Sequence, residues 1–361
     1  MRVLRAATYA SSALAATALL AACSSVGNTQ SSGYAPSSGA SAPMNANLPF
    51  NESYLGFTGP AAPNVHPDHH KSWVSPDVKK APQLLFISDI DTNDVYIFTM
   101  PAMKLHGTLT GFDGPQGVCG DRRGNIWVTN TKSAEIQEYS RNGKLLKTID
   151  DSGYYPVGCA VNKKNGDLAV TNIRTTGGES GNVTVYSSGS DPQTLANPDQ
   201  TEYYFPAYDT KGNLYVNGRG GSSNDIMISE CRSGSSSCST LTVSGVTLNV
   251  PGGLNWNKAA GHLVVDDPKC NNVWGSCLYS MSISGSTATV AGTTSLHDAN
   301  GGGCDVDQGV FAPNDKYFAG GCIAQGSNPA AVARWKFSAG GNPTHSSASV
   351  EYPVGAAISN K

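Results

Sequence analysis

The chain has 361 residues, of which only 14% are charged, and a formal net charge of −3. That is well below the roughly 25% charge of an ordinary soluble protein, and with no run of Lys or Arg it offers no electrostatic footprint for a nucleic acid partner. The 41 glycines, among abundant Ser, Thr and Asn, suit turn-rich β structure, and the length exceeds what one core usually fills, so a repeated architecture or several domains is expected.

Arg2 and Arg5 precede an apolar run from Ala6 to Leu20. A charged start and a short hydrophobic middle are the layout of a secretory signal, here residues 1–22, and the run is too short and Ala-rich for a permanent span. Leu20-Ala21-Ala22-Cys23 resembles the lipobox of bacterial lipoproteins. That resemblance implies cleavage before Cys23, lipidation of its thiol with palmitate or a similar acyl group, and an exported protein anchored to a membrane. Ser24 is not the Asp that commonly retains such proteins in an inner membrane, so the outer membrane is expected where the host has one. Residues 23–48 are Ser, Gly, Ala, Asn and Pro with almost no large apolar side chains, which predicts a disordered tether. Residues 49–82 read as an N-terminal extension packing on the folded domain. His66, His69 and His70 within it suit either a divalent metal or a surface segment at the domain edge.

From residue 83 a short pattern recurs: LLFISD at 84–89, GNIWVTN at 124–130, GDLAVTN at 166–172, GNLYVNG at 212–218, GHLVVDD at 261–267 and the degenerate DKYFAGG at 315–321. The interval of about 40 residues fits one four-stranded sheet per repeat. Each copy except the first is preceded by a Pro- or Gly-led apolar segment: GPQGVCGD at 114–121, YPVGCAVN at 155–162, FPAYDT at 205–210, PGGLNWN at 251–257 and GGCDVDQGVFA at 302–312. Alternating segments follow, such as DVYIFTM at 94–100 and NVTVYSS at 182–188. The first copy lacks its leading strand, yet the chain ends in YPVGAAISNK, a close match to YPVGCAVNKK at 155–164. The last strand is therefore expected to enter the first sheet as its innermost member.

This pattern resembles the NHL-repeat β-propellers over residues 83–361. The expected fold is all-β: a six-bladed β-propeller of four-stranded blades, closed by the C-terminal strand joining the first blade, with only short protected edges. Beyond Cys23 there are eight cysteines, an even number in a chain routed to an oxidising space, which favours disulfides over thiolate metal sites. Cys231 with Cys238 and Cys270 with Cys277 would each staple a loop. Cys304 and Cys322 would join neighbouring strands of one blade, leaving Cys119 and Cys159 in equivalent strands of adjacent blades.

In such a fold the loops entering the innermost strands share a face with those between second and third strands. The first set carries Phe112, Tyr154, Tyr155, Tyr203, Tyr204, Phe205 and Tyr352, and the second Asp89, Asp91, Asn130, Lys132, Asn172, Arg174, Arg219, Asp266 and Asp267. Aromatic platforms beside polar groups suit a glycan, a peptide or an envelope protein. The same residues also suit structural duties, with Tyr-Pro pairs packing between blades and Asp or Asn closing turns.

The chain is also distantly similar to the gluconolactonase and paraoxonase propellers, which implies a metal-dependent lactonase or esterase as an alternative. That resemblance implies a central divalent metal on Glu, Asn and Asp, but the closing strand offers Val354, Gly355 and Ala356 where a Glu is expected. Asp298, Asn300, Asp305 and Asn255 are the remaining oxygen donors that could approach the axis, beside Gln116. Asp89-x-Asp91-x-Asn93-Asp94 opens like a calcium loop, but position six is Asp94 rather than Gly and position twelve is Met100 rather than Glu. No cofactor is expected, and the expected function is a non-catalytic binding or scaffold module anchored in the cell envelope.

Overall fold

The computed structural model describes residues 71–361 apart from 189–190, 325–328 and 348. The lipobox with Cys23, the tether and His66, His69 and His70 lie outside the described residues. Among the described residues, no helix is long and apolar enough to cross a membrane.

The first sheet opens with a short strand, β1 (Trp73–Val74), and continues with β2 (Gln83–Asp89), β3 (Asp94–Met100) and β4 (Lys104–Leu109). Its outer edge is β1, which pairs with β4. The second sheet is the antiparallel series β5 (Pro115–Gly120), β6 (Ile126–Asn130), β7 (Glu135–Tyr139) and β8 (Leu145–Asp150). The third repeats this order with β9 (Tyr154–Val161), β10 (Leu168–Thr175), β11 (Ser180–Tyr186) and β12 (Gln193–Leu195).

The next two series share one eight-stranded sheet. These are β13 (Gln200–Tyr208), β14 (Leu214–Gly220), β15 (Asp225–Cys231) and β16 (Ser239–Ser244), then β17 (Leu254–Asn257), β18 (His262–Asp267), β19 (Cys277–Ser284) and β20 (Thr287–Ser295). Each series is antiparallel, and their outer strands β16 and β20 pair in parallel, with Val243 opposite Ala288. The last sheet holds β21 (Cys304–Asp305), β22 (Gly309–Phe311), β23 (Tyr317–Ala324), β24 (Ala331–Lys336) and β25 (His345–Ser347). Here the expected single innermost strand is two short ones, both pairing with β23 on either side of 306–308.

The chain ends in β26 (Pro353–Asn360), antiparallel to β2, with Leu85 opposite Ile358 and Phe86 opposite Ala357. Contacts among innermost strands run from β26 to β5, β9, β13, β17 and β22 and back to β26. The architecture is thus all-β, a propeller-like circuit of sheets.

The apolar run of β2 follows from this packing, because both of its faces are covered and alternate side chains enter different cores. Leu84 and Phe86 join Val118, Ile126 and Val128 of the second sheet. Leu85 and Ile87 join Ala319 and Val332 of the last sheet. Similar cores hold Ala169 and Val183 against Leu214 and Val216, and Val264 and Leu278 against Phe318 and Trp335.

The eight cysteines form the four expected disulfides, Cys119–Cys159, Cys231–Cys238, Cys270–Cys277 and Cys304–Cys322. The first ties β5 to β9, so it links neighbouring sheets 40 residues apart, and the next two close short loops with a separation of 7.

Candidate functional site

Second strands end in a small polar residue because that position faces the innermost strand of the next sheet. Buried there, a side chain must satisfy backbone groups that no ladder reaches. Ser88 donates to the Gln116 carbonyl and accepts from the Gly355 amide at 2.9 Å. Thr171 donates to the Tyr204 carbonyl at 2.5 Å, and just past β6 Thr131 donates to the Pro156 carbonyl at 2.7 Å. Asn217 accepts from the Phe205 amide at 2.9 Å and donates to the Gly252 carbonyl at 2.6 Å.

At the equivalent place in β18 stands Asp266, fully buried, and neither of its carboxyl oxygens has a hydrogen bond of ordinary geometry. Burial holds its pKa well above the usual carboxylate range; the Ser276 hydroxyl opposes that shift, and Asp267, Asp307 and Asp305 reinforce it. Half-buried Asp307 is pushed up to about 7, again by burial. A protonated Asp266 regains the donor that Ser, Thr and Asn supply at this position.

The axis itself is narrow. A Cβ on Gly117 would stand 2.6 Å from the Gly158 Cα, so neighbouring inner strands meet backbone to backbone. Gln308, between β21 and β22 and buried, reaches to β5: its Oε1 accepts from the Val118 amide at 3.1 Å and its Nε2 donates to the Val118 carbonyl at 3.4 Å.

The face expected to bind a ligand is largely committed to structure. The buried Asp89 carboxylate accepts from the amides of Asp91, Thr92, Glu351 and Tyr352 at 3.1, 3.2, 2.7 and 3.1 Å, pinning the chain just before β26. Burial raises its pKa while those four amides pull it down. Asn130 accepts from the Asp113 amide at 2.6 Å, and Asn172 donates to Asn182 at 2.9 Å and Thr184 at 3.1 Å. Asp267 accepts from the amides of Asn249, Val250 and Lys269. Tyr203 is fully buried, its hydroxyl accepting from the Asn197 amide at 2.8 Å, and Phe112 packs on Tyr139 with ring centres 5.7 Å apart.

Three sequence-predicted positions do come together. Arg174 pairs with Glu202 at 2.9 Å, and Tyr204 donates to the other Glu202 oxygen at 3.2 Å while its ring lies 6.4 Å from that of Phe205. Tyr204 and Phe205 are buried, whereas Tyr154, Tyr155, Tyr352, Lys132 and Arg219 are half-buried and Asp91 is exposed. Arg219 reaches the Asn224 carbonyl at 3.5 Å.

Two of the oxygen donors expected near the axis, Asp298 and Asn255, bond backbone groups. Asp298 caps its own turn through the amides of Asn300 and Gly302, and Asn255 donates to the Gly309 carbonyl at 3.0 Å. Asp298 and Asn300 instead border a cavity of about 100 Å³ beside Cys322. Among the described residues no three His, Cys, Asp or Glu side chains are placed to hold a metal ion.

Glu202, Asp307 and Gln308 escape the sequence reading. Gln308 lies in a Gly-rich segment whose break into two strands has no local signal, and Glu202 is unique to its repeat. Ser88 and Thr171 also escape that reading, although a small polar residue recurs at that position and could have marked them.

No protein-family model matches the chain. A search of the curated proteins finds no match either. Among solved structures the chain is similar to a protein of unknown function from Bacteroides caccae, with a TM-score of 0.57 and 13% identity over 78% of this chain and 100% of that one. It is similar to a chain of the nidogen/laminin complex, with a TM-score of 0.57 and 12% identity over 77% and 98%. A third likeness is to hydrazine synthase of Kuenenia stuttgartiensis, with a TM-score of 0.52 and 13% identity over 77% and 79%. At these identities the likeness is one of fold.

Proposed function

We propose that this chain is a lipid-anchored, extracytoplasmic β-propeller that serves as a non-catalytic binding or scaffold module of the cell envelope. In this reading the eight-stranded sheet is two blades zipped along their outer edges, giving six blades of the NHL-repeat type. The observation that carries the reading is the commitment of the polar groups around the axis. Ser88, Thr171, Asn217 and Gln308 are spent on backbone groups of neighbouring sheets, which supports a rigid frame rather than a reactive constellation. One similar structure comes from a complex of two proteins, nidogen and laminin, which is compatible with a partner-binding role.

The partner class favoured on the loop face is a glycan, peptide or envelope protein, held by Tyr155, Tyr352 and Arg219, which are all half-buried. Full-length protein carrying Y155A, Y352A and R219A should lose co-sedimentation with isolated envelope fragments, and undiminished co-sedimentation rejects this face. Cys23→Ser should move the protein from the membrane to the soluble fraction and abolish palmitate incorporation. Hydrolysis of lactones or esters that a chelator abolishes would overturn the non-catalytic reading.

A further inference from the structure

At the opposite end of the inner strands, each turn into the second strand holds an Asp or Asn whose side chain closes the turn, with a basic residue one or two positions on. Asp121 accepts from the amides of Arg123 and Asn125 at 2.7 and 2.8 Å, and Asp209 from those of Lys211 and Asn213, both at 2.8 Å. Asn162 accepts from the Lys164 amide at 2.9 Å and Asn314 from the Lys316 amide at 3.1 Å. Asn257 accepts from the Ala260 amide at 2.9 Å. Such Asx turns aim the acceptor oxygen at backbone and leave the following side chain to project. The projecting residues are Arg122, Lys163, Lys211, Lys258, Lys316 and, after β26, Lys361, and all are exposed.

These turns adjoin one another. A Cβ on Gly124 would stand 2.6 Å from the Asn360 carbonyl oxygen, and one on Gly212 would stand 3.3 Å from Asn162 Nδ2. The Ala259 amide donates to Asp315 at 3.0 Å. Lys163 keeps part of its surface exposed but loses some of its hydration at this end. Its ammonium is held below the usual lysine range, first by loss of hydration and then by repulsion from Lys258 and Arg122, with Asp315 pulling the other way. Arg122, Lys163 and Lys258 follow the Asx residues of three different sheets, at the same end of the inner strands. The acids at this end include Asp121, which also pairs with Arg123 at 3.3 Å, Asp167, Asp209 and Asp315, together with Glu138, which accepts from Asn125 at 2.8 Å, and Glu230, which pairs with Arg232 at 3.1 Å.

We propose that this end is an anion-binding face for a ligand bearing several phosphate groups. Cations set around a closed rim, rather than along a stripe, suit a compact polyvalent anion more than an extended polymer, because separate charges can then meet separate phosphates at once. The chemistry is shared by a soluble oligophosphate and a layer of anionic headgroups, and the site depends neither on lipidation nor on the loop face.

The test uses the full chain, a rim variant (R122Q, K163Q and K258Q) and a control variant (K104Q, K144Q and K147Q) that removes as much charge from β4, β8 and the turn before β8. Inorganic tripolyphosphate is titrated by calorimetry. Vesicles of phosphatidylglycerol or phosphatidylcholine are sedimented in parallel. The expected result is binding to one or both anionic probes that falls at least about tenfold in the rim variant, and again between low and high salt, with the control variant near wild type. Tripolyphosphate binding identifies a soluble oligophosphate, whereas rim-dependent binding to phosphatidylglycerol vesicles alone identifies headgroups. Absence of both, or equal losses in the rim and control variants, overturns the proposal.

Discussion

The two ends of the inner strands use polar residues in opposite ways. At the loop end, Asp89, Asn130, Asn172 and Asp266 are buried and face the protein. At the turn end, Arg122, Lys163, Lys211 and Lys258 face water. The loop end must seal the junctions where second strands reach neighbouring sheets and where β26 enters the first. The turn end consists of hairpins that close themselves through Asx side chains, so their remaining positions are free to carry charge. A face that looks rich in polar chemistry in sequence can therefore be occupied, while a face with one unremarkable Lys per hairpin is available.

Removing side chains at the two ends should expose this contrast. The largest effect is expected for Asp89→Ala, which removes the buried acceptor of four backbone amides and frees the segment before β26; a loss of about 3 kcal/mol in urea unfolding is expected. Arg174→Ala leaves Glu202 buried without its cation and should cost about 2 kcal/mol, with Arg174→Lys restoring only part of that. If either variant unfolds like wild type, the polar groups of the loop end do not hold the fold together.

Asp266→Asn should act in the opposite direction, stabilising the protein at pH 7 by about 1 kcal/mol, because Asn supplies the missing donor without a buried charge. The sign follows from linkage. Asp266 and Asp307 have folded pKa values raised above the unfolded value, so the folded state binds their protons more tightly. Their contribution is full below about pH 4 and declines as the pH rises. For Asp307 the decline ends near its folded value of about 7. Unfolding midpoints measured from pH 4 to 8 should therefore fall less steeply in Asp266→Asn than in wild type. The smallest effect is expected at the turn end: the triple R122Q, K163Q and K258Q should change stability by no more than about 0.5 kcal/mol. A larger loss would mean that these cations support the fold.

Much of the frame was legible from residue order. Recurrence of a five-residue strand core, the match of YPVGAAISNK to YPVGCAVNKK and the spacing of the cysteines led to the β2–β26 pairing and the four disulfides. These are local or repeated signals, and a repeated fold must write its period into the chain. The candidate ligand face was only half legible. Aromatic and polar residues were expected in loops, yet Tyr155, Tyr204 and Phe205 lie within β9 and β13, and Asn172, Arg174 and Arg219 within β10 and β14; whether a carboxylate meets ligand or backbone depends on which amides arrive from elsewhere. For Asp89 two of those amides belong to Glu351 and Tyr352, at the far end of the chain.

What the amino-acid order determined by itself was the all-β repeat, the return of the chain end to its first sheet and the residues that can pair covalently, because each is written as a period or a matched segment. Tertiary structure alone decided the edge-to-edge joining of β16 to β20, the reach of Gln308 to Val118 and the gathering of basic side chains spaced some 40 residues apart. Each of these depends on distance through space between segments that carry no mark of one another, and closing the circuit of sheets is what makes those distances short.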